Sequence, residues 1–378
     1  MVYLDYSATT PVDKRVLDTF SKVCMDFPGN PNSLHKLGVE AKKLCDEATD
    51  QIANLLGVKK EEIIYTSGSS ESNNLAIKGI ALKYQNRGKH IITTNLEHSS
   101  IYGPLSYLQH LGFEIDFVKT DRYGLVDMDD LKSLIRDDTI LVSICSVSSE
   151  TGICQDIEKI GELLKNYNCF FHCDMTQSIG KKNISLKNVD LVSFSAHKFY
   201  GLKGIGVLIK KEKIDLVPLI HGGKSTTIYR SGTPALPLIV SLSKALRLAL
   251  NEMNNDYVMK LNSIIRERIS YYENVSINSN KFCIPQILNI SVIGIKPETM
   301  QHSFEEDEIY ISTQSACSSS NPISRSVLEV TKDKNKASYS IRISISTKTT
   351  EKEIELFLKS FDRCYKKLMI RGEKYGSN

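Results

Sequence analysis

Features that mark membrane-spanning or secreted proteins are absent from this sequence. Its 378 residues contain no apolar run of about 18 residues, the length that indicates a transmembrane helix. The basic and apolar regions of a signal peptide are missing from the N-terminal segment MVYLDYSATT. We therefore expect the protein to stay in the cytoplasm and to have no membrane partner.

A regular cysteine pattern and a strong excess of one charge are also missing. The nine cysteines are odd in number and irregularly spaced, which argues against a disulfide framework in so long a chain. We interpret them as reduced thiols, most of them small core residues. The formal net charge is only +4, so the composition gives no reason to expect nucleic acid as a direct substrate.

What the sequence does contain is an alternation of strand-like and helix-like segments. Apolar residues recur at helical spacing in segments such as 157–164, where Ile157, Ile160 and Leu164 share one face. Such segments separate short apolar runs, which predict strands at 62–66, 90–94, 140–147, 169–174, 190–195 and 206–210. This alternation predicts an α/β fold with a mostly parallel sheet flanked by helices. Ligands of such sheets bind at the carboxyl ends of the strands.

The length predicts two domains, because 378 residues exceed what one ordinary core accommodates. A long helix is predicted at 237–253, where the alternating region ends. Beyond it, strands are predicted at 286–292, 308–312 and 339–345, and a last helix at 351–368. We therefore predict a large α/β domain over 13–254 and a smaller α+β domain formed by 1–12 and 255–378.

Two of the predicted strand ends carry groups that suit an anion and a cation. The strand at 62–66 runs into a Gly- and Ser-rich turn, where Ser69 and Ser70 open a helix whose free N–H groups suit a phosphate. The strand at 169–174 ends in Asp174, and a buried carboxylate needs a cationic partner or a proton. An ordinary helix N-cap is the alternative at both places. Cys169 and Cys173 share a strand face with Phe171, so we expect core packing there and no metal site.

A third strand end carries a lysine. The strand at 190–195 delivers Ser195, His197 and Lys198 into a glycine-flanked turn, where a partly desolvated lysine can form a Schiff base. Lys198 lies 24 residues after Asp174, about one strand–helix–strand step. A Schiff-base lysine, a carboxylate for a pyridinium nitrogen and a phosphate site are the groups that pyridoxal 5'-phosphate requires. The three strand ends together therefore predict this cofactor.

The chain resembles the group I cysteine desulfurases, which have the class V aminotransferase fold of the fold-type I PLP-dependent transferases. The resemblance extends over nearly the whole chain. The segments that carry it are YLDYSATT at 3–10, GNPNS at 29–33, TSGSSESNN at 66–74, EH at 97–98, DMTQ at 174–177, SAHK at 195–198, RSGT at 230–233, QSAC at 314–317 and SIR at 340–342.

The resemblance implies a role for each matching residue around the cofactor. Lys198 would hold pyridoxal phosphate as a Schiff base and later move the proton of the substrate Cα, while Asp174 would keep the ring nitrogen protonated. Gln177 would hydrogen-bond the ring hydroxyl, and His98 would stack on the ring as an acid/base group. The remaining residues expected to bind the cofactor are Ser69, Ser70, Ser149, Ser195, His197 and, from a second subunit, Thr233. That shared site implies a homodimer.

The resemblance also implies the substrate site and the nucleophile. Arg342 would pair with the substrate carboxylate, and Asn32 would also contact the substrate. Cys317 lies in a small, polar segment typical of a mobile loop. Its thiolate would attack the sulfur of bound L-cysteine, release L-alanine and keep a persulfide for a sulfur-acceptor protein. Iron–sulfur assembly and the thiolation of tRNA or a cofactor remain open as destinations.

Three segments depart from the family pattern. Ser148 and Ser149 replace paired asparagines, and Ser149 is too short to reach as far as an asparagine. A different loop occupies 221–227, and residues 346–348 stand where a Gly-Arg pair is expected. We therefore expect a working desulfurase that is slow or specialised in its acceptor. A selenocysteine lyase, an aminotransferase and a non-catalytic scaffold for sulfur assembly are the alternatives. We interpret Cys145, His172 and His221 as mainly structural.

Overall fold

The structure is a computed structural model that describes residues 1–313 and 323–375, with side chains as far as Met369. Its strands are β1 (Val2–Tyr3), β2 (Ile63–Thr66), β3 (His90–Thr93), β4 (Glu114–Phe117), β5 (Thr139–Ser143), β6 (Phe170–Asp174), β7 (Leu191–Ser195), β8 (Gly206–Lys210), β9 (Val275–Ile277), β10 (Ile287–Val292), β11 (Ile309–Tyr310) and β12 (Ser340–Ser344).

The helices are distributed between and after these strands. They are α1 (Lys14–Asp26), α2 (Lys36–Leu56), α3 (Ser69–Tyr84), α4 (Ser99–His110), α5 (Met128–Leu134), α6 (Ile157–Leu164), α7 (Leu236–Asn251), α8 (Asn255–Ile269), α9 (Pro297–Glu305), α10 (Arg325–Thr331), α11 (Lys334–Ser338) and α12 (Glu351–Tyr375). In the part of the chain that is described, no helix is both long and apolar enough to cross a membrane.

A seven-stranded sheet has the order β2-β8-β7-β6-β5-β3-β4. The strands from β7 to β4 are mutually parallel, and β8 is antiparallel to both of its neighbours. Successive residues of a strand point to opposite faces of the sheet, and helices cover both faces. Val192 and Phe194 pack with α1, α2, α6 and α7, whereas Leu191 and Leu208 pack with α3 and α4. The prediction of a mostly parallel sheet flanked by helices is confirmed.

Two predicted boundaries in this sheet differ from the structure. The strand predicted at 140–147 ends at Ser143, because Val147 turns back to pair with Cys154. The edge strand β4 was not predicted. Its sequence, EIDF, is short and partly exposed and has no continuous apolar run, so the apolar pattern that marks the inner strands is missing there.

The second sheet has the order β12-β10-β9 and is antiparallel. Beside it, β1 pairs in parallel with β11, so residues from both ends of the chain meet. Val2 and Leu4 share one apolar cluster with residues of α8, α9 and α12, including Phe304 and Phe361. The C-terminal segment therefore packs around the first residues of the chain, which continue from this cluster toward the carboxyl ends of β6 and β7.

Candidate active site

A cleft opens at the carboxyl ends of the parallel strands and contains about 810 Å³ of empty space. Four segments bring their polar groups to it: the end of β6, the turn after β7, the first turn of α3 and the residue before α4. The residues that line the cleft are Ser7, Ala8, Ser69, Ser70, Leu96, His98, Cys145, Val147, Ser149, Asp174, Thr176, Gln177, His197, Lys198 and Arg342. Most of the residues that we predicted as a site therefore share one cleft.

Lys198 and Asp174 are held in this cleft by different kinds of partner. The Nζ atom of Lys198 donates hydrogen bonds to the carbonyl oxygens of Ser7 and Ala8, each at 2.7 Å. Asp174 is 7% exposed, and its Oδ1 accepts from the backbone N–H of Thr176 at 2.9 Å. Its Oδ2 accepts from Nδ2 of Asn73 at 2.8 Å. Two donors therefore fix the orientation of this carboxylate.

His98 belongs to the same hydrogen-bond network. Nδ2 of Asn73 also donates to Oγ of Ser100 at 2.9 Å, so the Ser100 hydroxyl is left to donate to Nδ1 of His98 at 2.8 Å. Burial lowers the pKa of His98, with a further contribution from Lys198, although Asp174 opposes it. A neutral ring that accepts at Nδ1 carries its proton at Nε2. His98 can therefore donate a hydrogen bond through Nε2 to a ligand in the cleft.

The first turn of α3 forms an anion site beside these groups. Ser69 and Ser70 are the first two residues of the helix, where backbone N–H groups lack intrahelical acceptors. Gly206 allows this turn to approach the sheet, since a Cβ there would lie 2.6 Å from the backbone of Gly68. Ser195 is buried directly behind this turn and donates to the carbonyl of Ile205 at 3.4 Å. It therefore does not line the cleft itself.

His197 follows the end of β7 and lines the cleft. Its Nδ1 lies 3.1 Å from the hydroxyl of Thr9. Burial, together with the charge of Lys198, lowers the pKa of His197 to about 4. The ring is therefore neutral at pH 7 and offers a hydrogen bond rather than a charge.

The groups in the cleft fit pyridoxal phosphate. Buried polar atoms at this site lack partners among the described residues, namely Oδ1 of Asn73, Oγ1 of Thr176 and Nε of Arg342. Buried polar atoms normally find a partner, so these atoms leave room for a polar ligand. An amine, a carboxylate and a helix N-terminus around one cleft match the imine, the ring nitrogen and the phosphate of the cofactor.

Arg342 forms the wall of the cleft on the side of the second sheet. It is 1% exposed, and its Nη2 atom donates to Oδ1 of Asp5 at 2.8 Å. Its Nη1 atom donates to the carbonyl oxygen of Ser149 at 3.0 Å. The same carbonyl accepts from the hydroxyl of Ser7 at 3.1 Å, so Ser149 is connected to the site through its backbone.

Besides Ser195, three predicted site residues are not brought into the cleft by the described part of the chain. Asn32 is exposed and donates to Oγ of Ser225 at 3.0 Å. Thr233 is exposed near Arg230, whose Nε atom lies 3.0 Å from Glu71 in the first turn of α3. Cys317 lies outside the described residues, as does the rest of 314–322.

The structure also adds residues that sequence reasoning missed. Asn73 connects Asp174 with Ser100 and is fully buried. In the sequence, an asparagine next to the apolar residues of α3 was the available signal for a buried polar contact. Glu97 accepts from the hydroxyl of Thr94 at 2.7 Å and from the N–H of Cys145 at 2.9 Å. Burial raises the pKa of Glu97 to about 8, so this side chain is neutral at pH 7.

The three residues that we interpreted as structural have different environments. Cys145 lines the cleft, but burial raises the pKa of its thiol well above the usual range, so it is not a thiolate. His221 is exposed. His172 is fully buried between two hydroxyls, with Nδ1 2.9 Å from Oγ of Ser143 and Nε2 2.9 Å from Oγ of Ser193.

We expect His172 to make the protein sensitive to acid. Burial lowers its pKa well below 6.5, although Asp174 opposes the shift. Below pH 6.5 the histidine is protonated in the unfolded chain but stays neutral in the folded chain. The free energy of unfolding is therefore unaffected by His172 above that pH, and it falls by about 1.4 kcal/mol per pH unit below it.

Urea unfolding at pH 7.5 and pH 5.5 tests this prediction. The His172→Gln variant can still hydrogen-bond both serines, and we expect it to lose about 1 kcal/mol less than the wild type on acidification. An equal loss of stability in both proteins would show that His172 does not take part.

Comparisons with known proteins agree with this geometry. The family described as Aminotransferase class-V matches residues 2–357. Cysteine desulfurase IscS of Dictyoglomus turgidum is 38% identical over 377 residues, which cover 97% of this chain and 95% of the relative. Cysteine desulfurase IscS of Buchnera aphidicola is 41% identical over 364 residues, covering 93% and 90%. A solved structure titled NifS-like protein is 34% identical with a TM-score of 0.91, covering 98% and 99%.

The fold and the site thus define an enzyme of the aminotransferase type, and the chain belongs to the class-V aminotransferase family. Within that family it is similar over nearly its whole length to cysteine desulfurases of the IscS and NifS type. The resemblance seen in the sequence is confirmed.

Proposed function

We propose that this protein is a pyridoxal-phosphate-dependent cysteine desulfurase, which converts L-cysteine to L-alanine and keeps the sulfur as a persulfide on Cys317. The observation that carries the proposal is the shared cleft of Lys198, Asp174 and the first turn of α3. It occurs in a chain whose relatives are cysteine desulfurases over their full length. An ordinary aminotransferase would have no use for a thiol at Cys317.

Different residues of the cleft bind different parts of the cofactor. Ser69, Ser70 and His197 hold the phosphate, where helix N–H groups and neutral donors suit an anion, and Ser195 packs behind Gly68 at the start of α3. Asp174 would hold a proton on the ring nitrogen, and its two donors fix the orientation of its carboxylate for that contact. When bound, pyridoxal phosphate would supply an electron sink that acidifies Cα of the substrate and weakens the bond between Cβ and sulfur.

Proton movement is assigned to Lys198 and His98. The Nζ atom of Lys198 takes the proton from Cα of the substrate once it is released from its covalent role. Ser7 and Ala8 orient this atom through their carbonyl oxygens. In its doubly protonated form His98 can give a proton to a group that forms in the cleft, and in its neutral form it donates a hydrogen bond there through the N–H at Nε2.

The chemical step at Cys317 is a transfer of one sulfur atom. The Cys317 thiolate attacks the sulfur of bound cysteine, so a sulfur–sulfur bond forms and the carbon–sulfur bond of the substrate breaks. The electron pair of the broken bond stays on the substrate carbon, which is protonated to give alanine. The outer sulfur of the persulfide is then passed to a sulfur-acceptor protein.

We propose that the chain forms two domains. Residues 13–254 form the cofactor domain, and residues 1–12 and 255–378 form the smaller domain that carries Cys317 and Arg342.

We further propose a homodimer, because Thr233 and Asn32 are exposed outside the cleft of their own chain and are available to a second subunit. Free thiols are typical of a reducing compartment, and all eight cysteines of the described residues are unpaired, so we propose a cytoplasmic enzyme.

The proposed function is tested by incubating the purified protein with cysteine and searching for a persulfide on Cys317 by mass spectrometry. Alanine is measured in the same samples, and sulfide is measured after a reductant is added. We expect one alanine for each sulfur released. A protein that binds pyridoxal phosphate yet forms neither alanine nor persulfide would contradict the proposal.

We expect Arg342→Lys to weaken the binding of cysteine. The two terminal nitrogens of Arg342 are fixed by Asp5 and Ser149, and a planar fork can still offer N–H groups to a carboxylate. A single ammonium cannot replace all these donors, so KM for cysteine should rise roughly 10- to 100-fold, in line with about 1.4–2.7 kcal/mol for a charged hydrogen bond.

Initial rates at increasing cysteine concentrations measure this effect, and the visible absorption of the protein reports its cofactor content. The matched control is Arg266→Lys, since Arg266 is a partly buried arginine that donates to the carbonyl of Ser279, away from the cleft. An unchanged KM in Arg342→Lys would remove Arg342 from the substrate site.

A further inference from the structure

Lys181 is a half-buried lysine for which the proposed reaction has so far given no role. It follows β6 by seven residues and lines a second cavity, between α7 and residues 345–348, that Lys198 also lines. Its Nζ atom donates a hydrogen bond to Oε1 of Gln177. Burial lowers the pKa of Lys181 well below its usual range, and the charges of Lys198 and Arg342 lower it further.

The fold does not need the amine of Lys181 to hold this turn. The backbone N–H of Lys181 donates to the carbonyl of Ser178 at 3.0 Å, and its own carbonyl accepts from Gln286 at 3.3 Å. Burying an amine beside two other cations is unfavourable, and an apolar side chain would avoid that penalty. The contact that distinguishes a lysine from an apolar residue at this position is therefore its hydrogen bond to Gln177.

Gln177 is oriented by two contacts that agree with each other. Its Nε2 atom donates to the carbonyl oxygen of Ser7 at 2.9 Å, and a carbonyl can only accept. Oε1 must then face Lys181, which supplies the donor that it needs. One of the two N–H groups of Nε2 goes to Ser7, so the other is left for the cleft that Gln177 lines.

We infer that Lys181 is a positioning residue, which fixes the amide of Gln177 so that it presents an N–H, and not its oxygen, to the cofactor. This inference rests on the proposed function, in which Gln177 contacts the ring hydroxyl. The carbonyl of Ser7 that accepts from Gln177 also accepts from Lys198. Lys181, Gln177, Ser7 and Lys198 thus form one continuous chain of hydrogen bonds.

The orientation of Gln177 has an effect that can be measured at Lys198. A donor to the ring oxygen stabilises negative charge there, and so disfavours the proton that the oxygen shares with the Lys198 nitrogen in the bound state. Removing Lys181 removes the donor that holds Gln177 in this orientation, so the pKa of the Lys198 nitrogen in the holoenzyme should rise.

The experiment is a pH titration of the visible absorption of the bound cofactor in the wild type, Lys181→Met and Lys181→Arg. We expect the pKa to rise by roughly 0.5–1 in Lys181→Met, the size of one hydrogen bond. In Lys181→Arg, which keeps a donor to Gln177, the pKa should stay closer to the wild-type value. The matched control is Lys182→Met, because the amine of Lys182 contacts Cys154 at 3.0 Å instead.

The other ionisable groups around Lys198 are the same in all these variants. On the cofactor side they are His98, Asp174, His197 and Arg342, and on the side of the second cavity they are Tyr6, Asp13, Tyr200, Glu252 and Lys348. A difference between Lys181→Met and the Lys182→Met control therefore reports the amine of Lys181.

A double-mutant cycle decides whether Lys181 acts through Gln177. In the Gln177→Leu background the substitution Lys181→Met should change the pKa much less than it does in the wild type. The same rise in both backgrounds, or no rise in Lys181→Met, would overturn the inference. If Lys181→Met does not fold, Lys181→Leu removes the same donor and allows the same cycle.

Failure of this inference and failure of the proposed function can be told apart. A wild type that binds pyridoxal phosphate but forms no persulfide contradicts the function, whatever its titration shows. A wild type that forms the persulfide, with a pKa that Lys181→Met leaves unchanged, contradicts the role of Lys181 alone.

Discussion

Replacing Cys317 by alanine should abolish persulfide formation while the protein still binds its cofactor. In the proposed reaction the thiolate of Cys317 receives the sulfur, so without it the carbon–sulfur bond of the substrate stays intact. We expect the release of alanine from cysteine to fall by about three orders of magnitude or more. Alanine and persulfide are measured as for the wild type, and visible absorption checks the cofactor.

Cys145 and Cys24 provide the controls for this variant. Cys145 lines the cleft, but its thiol stays protonated because burial raises its pKa, and the thiolate is the reactive form. Cys24 is exposed in α1. We expect Cys145→Ala and Cys24→Ala to form the persulfide on Cys317. A persulfide in Cys317→Ala, or its loss in Cys145→Ala alone, would assign the nucleophile to another residue.

Replacing Lys198 by alanine should remove both the covalent hold on the cofactor and the base that acts at Cα. Each of these roles depends on the Nζ atom, and general acid–base catalysis alone contributes roughly 10²- to 10⁴-fold. We therefore expect a loss of activity of about 10³-fold or more. Borohydride treatment should fix the cofactor on Lys198 in the wild type and leave no such adduct in the variant.

The fold should tolerate this substitution. Lys198 donates to the carbonyl oxygens of Ser7 and Ala8, which lie at an open cleft where water can replace the amine. Lys203→Ala is the matched control, since Lys203 is an exposed lysine in the same glycine-flanked turn. Full activity in Lys198→Ala, or an adduct on Lys203 in the wild type, would contradict the assignment.

The strands of the central sheet could be predicted because they are buried on both faces. Continuous apolar runs led to β3, β6, β7 and β8 within one or two residues of their ends. The edge strand β4 was missed, because a strand with partly exposed faces has no such run. The end of β5 was placed too late, since the apolar residues after Ser143 continue in a turn that packs on the core.

The site was predictable as far as it depends on residue type. Lys198, Asp174 and the serines of α3 follow strand ends, and the parallel topology brings such ends together. Asn73 and Lys181 were missed, because each acts only through a partner that a sequence pattern does not reveal. The roles of Asn73 and Lys181 follow from their hydrogen bonds to Asp174 and Gln177, respectively.

The sequence alone determined the family of this protein and the order of reactive groups along its chain, because a Schiff-base lysine or a nucleophilic thiol is defined by residue type and motif. Only the tertiary structure decided which of these groups face one another. It turned Gln177 toward Lys181, linked Asp174 to His98 through Asn73 and Ser100, and left Thr233 outside the cleft. The donor–acceptor distances of hydrogen bonds vary by only a few tenths of an ångström. The spacing of residues along a chain does not set the distance between remote segments that closely.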